Sequence, residues 1–536
     1  MFGFGRFRNV TVLLGSVAAL TVGLSHAVPA QSLPSPFVQV LAAEASSDSA
    51  VAEVYRARNY QPIWTADDSA PRRAALLNTL ARAGDHALPV GRYDVAALMA
   101  QLAAAQTEGD RARVEMALTR AFLDYARDVK SGLLEPKTVD KGIVREIARP
   151  DPAVLLAGIL GPDPARVLHD LAPKAPQYAQ LMRAKIALEA QIANGGWGPK
   201  IQAKALQPGD TGPAVVALRD RLVRMGYLPV SATASYDAAI QSAVQRFQVD
   251  HGLIADGKAY DGTLQEVNIG PEQRLKSIVV AMERMRWLGD APLGERHVWV
   301  NLPEMTAKIV DHGKVTFETR AVIGKNVPDQ QTPEFSDVME HMVINPSWGV
   351  PRSIIVNEYL PLLQRNPNAV SHLQVIDNRG RVVPRGAVNF AAYSARSFPF
   401  GLRQPPSDGN ALGKVKFMFP NTHNIYLHDT PAKNLFSHDV RAYSHGCIRL
   451  ADPFDFAYTL LSAQNDDPKG TFEGYLNSGN ESTVKLTQQL PVHLVYFTAF
   501  PGAKGQMTYR RDIYGRDGEL FQALEAAGVV LPSVRG

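Results

Sequence analysis

The segment Ala442-Tyr443-Ser444-His445-Gly446-Cys447-Ile448-Arg449-Leu450 decides how the rest of the 536-residue chain is read. It holds the chain's one cysteine, with a glycine directly before it, a histidine two positions before and an arginine two positions after. A single cysteine makes no intrachain disulfide, so Cys447 is not a staple. A free thiol is only slightly ionised at neutral pH, and a nearby imidazole can take its proton or hold the thiolate. Gly446 allows a tight turn and a close approach of substrate to backbone. Backbone N–H groups around Gly446 and Cys447 are natural donors to the oxyanion of an attacked carbonyl. Arg449 offers a planar fork suited to a carboxylate. The set points to acyl transfer by a thiol held at a turn.

Two histidines compete for the role of base. His445 lies two residues before Cys447, which in an extended segment puts both side chains on one face. His428 lies in the upstream segment Ile425-Tyr426-Leu427-His428-Asp429-Thr430, at a strand end. Spacing alone leaves both open. Tyr426 alternates with His428 and so faces the same side.

Around these segments the pattern is of short strands. Val298–Leu302, Thr306–Val310, Thr319–Ile323, Met342–Asn345, Asn424–His428 and His493–Phe497 are rich in apolar and β-branched residues and separated by turns. Pro351–Gln364 and Pro453–Leu461 read as helices. The stretch 366–404 is long and weakly patterned, as functional loops often are.

Towards the N-terminus the period becomes helical. In 113–129 the residues Met116, Leu118, Phe122, Tyr125 and Val129 share a face, and Pro and Gly near 131–137 and 149–163 divide the region into several helices. A compact unit follows Gly195-Gly196: Val215, Leu218, Leu222 and Met225 mark one helix, and Ile240, Val244 and Phe247 another. Residues 1–30 read as an export signal, with Arg6 and Arg8 before the apolar run Val10–Leu24 and a cleavage site ending at Ala27 or Ala30. The run is shorter than the roughly 18–20 residues of a spanning helix, although an uncleaved anchor is the alternative. With 46% hydrophobic and 20% charged residues and a net charge of +4, the composition is that of a soluble globular protein. It argues against a nucleic-acid partner and mildly for an acidic or mixed-charge polymer.

The pattern His428, fifteen residues, then Ser444-His445-Gly446-Cys447-Ile448-Arg449 resembles the active-site signature of the L,D-transpeptidase family. Asn410–Phe417, Phe419-Pro420-Asn421, Asn345-Pro346-Ser347-Trp348 and Val350-Pro351 resemble its large multidomain Gram-negative branch. The Gly209-Asp210-Thr211-Gly212 opening, Met225-Gly226-Tyr227-Leu228 and Ala243–Gln248 resemble the small three-helix peptidoglycan-binding domain. The resemblance implies a multidomain α+β protein with a helical N-terminal scaffold (45–195), a peptidoglycan-binding domain (206–268) and a β-rich sandwich catalytic domain (290–500). A capping insertion over the site falls at 366–404, and a C-terminal tail at 501–536. The stretch Arg403–Asn410 is longer than the Pro-Gly turn of that branch, so the cap's hinge is not carried over.

By the same resemblance Cys447 is the nucleophile, His428 its base, and the Asp429 carbonyl orients that base. His445 shapes the pocket, and Arg449 contacts a substrate carboxylate. Tyr443 and Ser444 line or brace the pocket, although Ser444 could equally satisfy a turn. Trp348 is either core or a wall of the donor cleft. The implied reaction is 3→3 cross-linking of peptidoglycan in the periplasm. A donor tetrapeptide stem gives a thioester, D-Ala leaves, and an acceptor amine takes the acyl group. No cofactor is needed, because the thioester retains the peptide-bond energy. The partners it implies are the stem peptides and other cell-wall synthesis proteins. Water, a D-amino acid or a lipoprotein lysine are alternative acceptors. A non-catalytic wall-binding protein and a metal site built from His423, His428, His438, His445, Asp429 and Asp439 are rival readings. No His-Glu-x-x-His or Cys-x-x-Cys pattern supports the metal.

Overall fold

The computed structural model describes residues 34–503 and 505–532; the expected export signal at 1–30 lies outside them. No described helix is long and apolar enough to cross a membrane.

The helical region is organised by one long helix, Glu108–Ser131. Thr107 caps it reciprocally with Asp110, satisfying N–H groups that have no helical partner. Its apolar face buries Met116, Leu118, Phe122, Tyr125 and Val129 among shorter helices. The second unit has three helices, Pro213–Arg224, Ala238–Asp250 and Asp261–Val267. Val215, Leu218, Leu222, Ile240, Val244 and Phe247 form its core, as their spacing predicts.

The helix Pro271–Leu288 falls between the expected units and joins them. It shares a core with the helix Pro176–Ala193 and with the C-terminal helix Arg516–Ala526, which buries Leu520, Phe521 and Leu524. The described stretch 505–532 is therefore a folded part of the molecule rather than a tail. Its Leu520-Phe521-x-x-Leu524 stripe is a helical period that needs the long helix to cover it.

The β-rich region is a nine-stranded sheet plus a cap. In chain order the strands are β1 (Arg296–Asn301), β2 (Thr306–Asp311), β3 (Lys314–Gly324), β4 (Phe335–Ile344), β5 (Trp348–Gly349), β6 (Gln374–Ile376), β7 (Val382–Val383), β8 (Gly401–Gln404), β9 (Val415–Met418), β10 (Leu427–His428), β11 (Ala442–Ser444), β12 (Ile448–Leu450) and β13 (Ser482–Val495). β14 (Ala499–Pro501) and β15 (Met507–Tyr509) form a separate hairpin. The main order is β11-β3-β12-β10-β9-β4-β13-β1-β2, and β2 also pairs with β3, so the sheet closes on itself. Its inner residues, such as Val300, Ile323, Met342, Phe417, Leu427 and Leu494, pack across one core. Closure leaves few open strand edges. It brings β10 and β12, which carry the site, into parallel register, Leu427 opposite Ile448 and His428 opposite Arg449.

The cap is larger than the expected 366–404. It starts at Trp348 in β5, includes the helical stretch 352–365, and carries the sheet β5-β8-β6-β7 over a core of its own. Within the helical stretch Ile355–Tyr359 is a π turn, with the Leu360 N–H donating to the Ile355 carbonyl. The next residue is Pro361, whose ring clashes with the carbonyl four residues back and loosens the turn before it.

Candidate active site

Cys447 stands in the turn between β11 and β12, where Gly446 has φ +111°. A side chain there would be strained, and its Cβ would lie 3.1 Å from Ile425 Cδ1. The turn is tied from inside by Ser444. Its hydroxyl accepts the Gly446 N–H at 3.1 Å and donates to the Cys447 carbonyl at 2.5 Å. Ser444 is buried at the wall of the thiol's cavity, and its hydroxyl is engaged by the turn as donor and as acceptor. The same bond occupies the Gly446 N–H, expected as an oxyanion donor, and leaves the Cys447 N–H as the amide beside the sulfur.

The turn is also held from behind. Thr332 Oγ1 donates to the Gly446 carbonyl at 2.7 Å and accepts the Gly324 N–H at 3.0 Å. Tyr514, from the C-terminal segment, donates its hydroxyl to the Gly324 carbonyl at 2.7 Å and accepts the Thr332 N–H at 3.3 Å. Neither residue carries a local sequence signal for this role.

The thiol opens into a cavity of about 450 Å³ lined by Trp348, Tyr359, Tyr426, His428, His445 and Arg449 among others. Cys447 is partly exposed there. Its Sγ lies 3.5 Å from the Asn424 carbonyl. Burial pushes the thiol up to about 11, against the downward pull of the Tyr426 amide and hydroxyl and of the Arg449 charge. The Tyr426 ring stands edge-on to His428, with centroids 5.6 Å apart.

His428 is buried, and its Nδ1 lies 2.5 Å from the Asp429 carbonyl. A carbonyl only accepts, so Nδ1 carries the proton and Nε2 of the neutral ring keeps its lone pair. Burial, and secondarily the Arg449 charge, lowers the imidazole to about 3, while the Asp429 and Leu412 carbonyls oppose the shift. The site thus rests as neutral thiol and neutral imidazole. Among the described residues no hydrogen bond joins them, although both line the cavity. Asp429 is fixed in turn: its carboxylate accepts the Lys414 N–H at 2.9 Å and the Lys433 ammonium at 2.7 Å. Gly413 is required there, since a Cβ at 413 would overlap that carboxylate.

Arg449 projects into the cavity with its Nε buried and without a partner, which fits an arginine kept for a ligand anion. His445 Nε2 lies 2.6 Å from Glu358 Oε1 of the cap's π turn, a contact that sequence spacing gave no means of finding. Trp348 is both cap core and cavity wall, edge-on to Tyr359 at 6.4 Å. Tyr443 does not reach the cavity; it packs on His438 outside, at 5.5 Å. The four histidines of the metal reading have separate partners: His423 lies against Phe335, His438 against Tyr443, His445 on Glu358 and His428 on Asp429. Among the described residues no three His, Cys, Asp or Glu side chains form a metal-holding group.

Comparison with known proteins divides the chain in three. Residues 295–472 match the L,D-transpeptidase catalytic domain, residues 211–266 a putative peptidoglycan binding domain and residues 49–184 a scaffold domain. A putative L,D-transpeptidase from Haemophilus influenzae is 30% identical over 249 residues, which are 46% of this chain and 49% of that relative. The match thus spans about half the length of each. An L,D-transpeptidase structure from Stackebrandtia nassauensis covers 55% of this chain and 96% of its own, at 15% identity and a TM-score of 0.21. One from Xylanimonas cellulosilytica covers 55% and 100%, at 16% identity and a TM-score of 0.16.

Proposed function

We propose, from the match of residues 295–472 to the L,D-transpeptidase catalytic domain, that this protein cross-links peptidoglycan stems through a Cys447 thioester. The observation that carries the reading is the chain's one thiol, open to a cavity that it shares with a neutral, oriented imidazole and with Arg449, whose buried Nε has no partner among the described residues. The peptidoglycan-binding domain at 211–266 supports a polymeric cell-wall substrate. The export signal read at 1–30 would carry the protein to the periplasm, where that substrate lies.

The mechanism follows from the groups present. A tetrapeptide stem enters beneath the cap, and Arg449 takes a stem carboxylate bidentately. The thiol turns from the Asn424 carbonyl to His428 Nε2 and gives up its proton as sulfur attacks the carbonyl of the third residue. Apo sites often make such bonds only when substrate is seated. Negative charge on the carbonyl oxygen meets the Cys447 N–H. The C–N bond breaks, D-Ala leaves with the proton from the imidazolium, and a thioester remains. The side-chain amine of a second stem attacks it and restores the thiol, giving a 3→3 link.

Incubation of purified disaccharide-tetrapeptide with the full-length protein tests this by mass spectrometry. Cross-linked dimer and free D-Ala are expected with the wild type and not with Cys447→Ala. D-Ala without dimer would make the protein a carboxypeptidase. If neither product nor a carbapenem adduct on Cys447 forms, the chain is a wall-binding protein and the reading is wrong.

A further inference from the structure

A second cavity, of about 490 Å³, lies on the other side of the catalytic turn. It touches Gly446 but not Cys447, and it shares Pro328, Asp329, His423, Ile425 and His445 with the cavity that holds the thiol. Its far wall is not catalytic domain. It is the scaffold segment 140–144, docked on the catalytic domain by paired backbone bonds: the Glu334 N–H to the Gly142 carbonyl at 2.7 Å and the Val144 N–H to the Glu334 carbonyl at 2.8 Å. Val144 and His423 also border a third cavity with Lys137 and Arg145, so the cleft continues along the scaffold segment.

The charges in this cleft are of two kinds. Arg516 and Asp140 satisfy one another at 2.7 Å, and Asp140 also accepts the Gly142 N–H, so both are structural. Lys141 is exposed and has no carboxylate partner among the described residues, and Asp329 stands on the rim common to both cavities with no cation partner among them. A free cation on the scaffold wall of the cleft and a free carboxylate on the rim that the two cavities share suit a ligand that leads with an ammonium and carries a carboxylate behind it. We infer that this cleft between scaffold and catalytic domain is the acceptor site, taking a peptide whose terminal amine is flanked by a carboxylate.

The inference rests on the thioester reading above, because an acceptor exists only if an acyl-enzyme does. Once the first cavity holds the acyl chain under the cap, the second substrate needs an approach that this chain does not block. The adjoining cleft provides one along the shared wall. The acceptor ammonium is guided past Asp329 and loses one proton to solvent. Its nitrogen attacks the thioester carbonyl, the C–N bond forms, and the C–S bond breaks with its electron pair on sulfur. The remaining extra proton passes through His428 back to the thiolate. Lys141 holds the acceptor carboxylate throughout.

The test separates the two half-reactions in the full-length protein. Acyl-enzyme formation is followed by mass with a carbapenem and by D-Ala release from disaccharide-tetrapeptide. Transfer is followed as the ratio of cross-linked dimer to hydrolysed tripeptide. Lys141→Glu is expected to lower that ratio at least about fivefold with acylation unchanged, and Lys141→Arg to keep it. An unchanged ratio in Lys141→Glu overturns the proposal, as does a parallel fall in acylation, which would make the cleft part of the donor site. A wild type that forms no acyl-enzyme at all overturns the thioester reading, and this one with it.

Discussion

Glu358 of the cap holds His445 of the catalytic turn, Oε1 to Nε2, at 2.6 Å. It is a bond between the cap's helical stretch and the segment that carries the thiol, and both residues line the cavity. A partly exposed bond of this kind contributes about 0.5–1 kcal/mol, enough to bias the cap toward closure by roughly two- to fivefold. Glu358→Ala should therefore let a small reagent reach the thiol faster while slowing acylation by the peptide donor, whose seat the cap completes. Because the chain has one cysteine, iodoacetamide labelling reads the first effect directly. If both rates keep their wild-type values, the bond does not hold the cap.

Ser444→Ala removes the acceptor of the Gly446 N–H and the donor to the Cys447 carbonyl at once. Leaving those groups unsatisfied costs about 1–3 kcal/mol, and the freed turn no longer presents the sulfur in one place. The variant should lose that much stability in urea and acylate with a carbapenem about tenfold more slowly. A substrate-contacting serine would instead leave the urea midpoint where it was, so the two measurements separate bracing from binding.

These two residues also show where sequence reading stops. The chemistry of Ser444 to Arg449 is contiguous, and a short segment can display it. The periods of Val215, Leu218 and Leu222, or of Met116, Phe122 and Tyr125, are likewise local consequences of helix geometry. Glu358, Thr332 and Tyr514 reach the catalytic turn only through the closed sheet and the folded C-terminal segment, so nothing near them in the chain announces the contact. The cap was placed too late because β5 is two residues long, too short to show an alternation. Gly446 was expected to offer its N–H to substrate because which way the Ser444 hydroxyl turns is a matter of side-chain conformation.

Acid should unfold the protein through buried histidines. Burial lowers His428 to about 3 and His493 to about 4, and it holds His251 well below its usual range. In the unfolded chain each takes a proton near pH 6.5. The unfolded state then binds more protons, so the stability they contribute is complete above about 6.5 and falls as pH drops toward 4. Each removes up to about 1.4 kcal/mol per pH unit. Asp517 opposes them, since burial raises it to about 6; its contribution is full at low pH and is lost as pH rises through that value. Burial lowers His86 to about 4 as well, and four groups outweigh one, so the thermal midpoint should fall between pH 6.5 and 4.5, less steeply in His428→Gln. A midpoint that is level over that range contradicts the buried neutral histidines.

The resting thiol should be hard to ionise. Burial raises Cys447 to about 11, while Arg449 and the Tyr426 hydroxyl and amide pull it down without cancelling the shift. At pH 8 only about a thousandth of the sulfur is then thiolate, so iodoacetamide alkylation of free protein should be slow and rise tenfold per pH unit toward its inflection. Arg449→Met removes a stabilising charge and should move the inflection higher, whereas Arg449→Lys keeps most of the charge and should move it little. Tyr426→Phe removes a hydroxyl that pulls the thiol down and should shift it in the same direction as Arg449→Met. The peptide donor changes this state by drawing the thiol onto His428, so acylation by substrate should show its pH dependence well below that of alkylation. An alkylation inflection under pH 8 in the free protein would mean that the pair rests as thiolate and imidazolium, and the order of proton transfer and attack would have to be reversed.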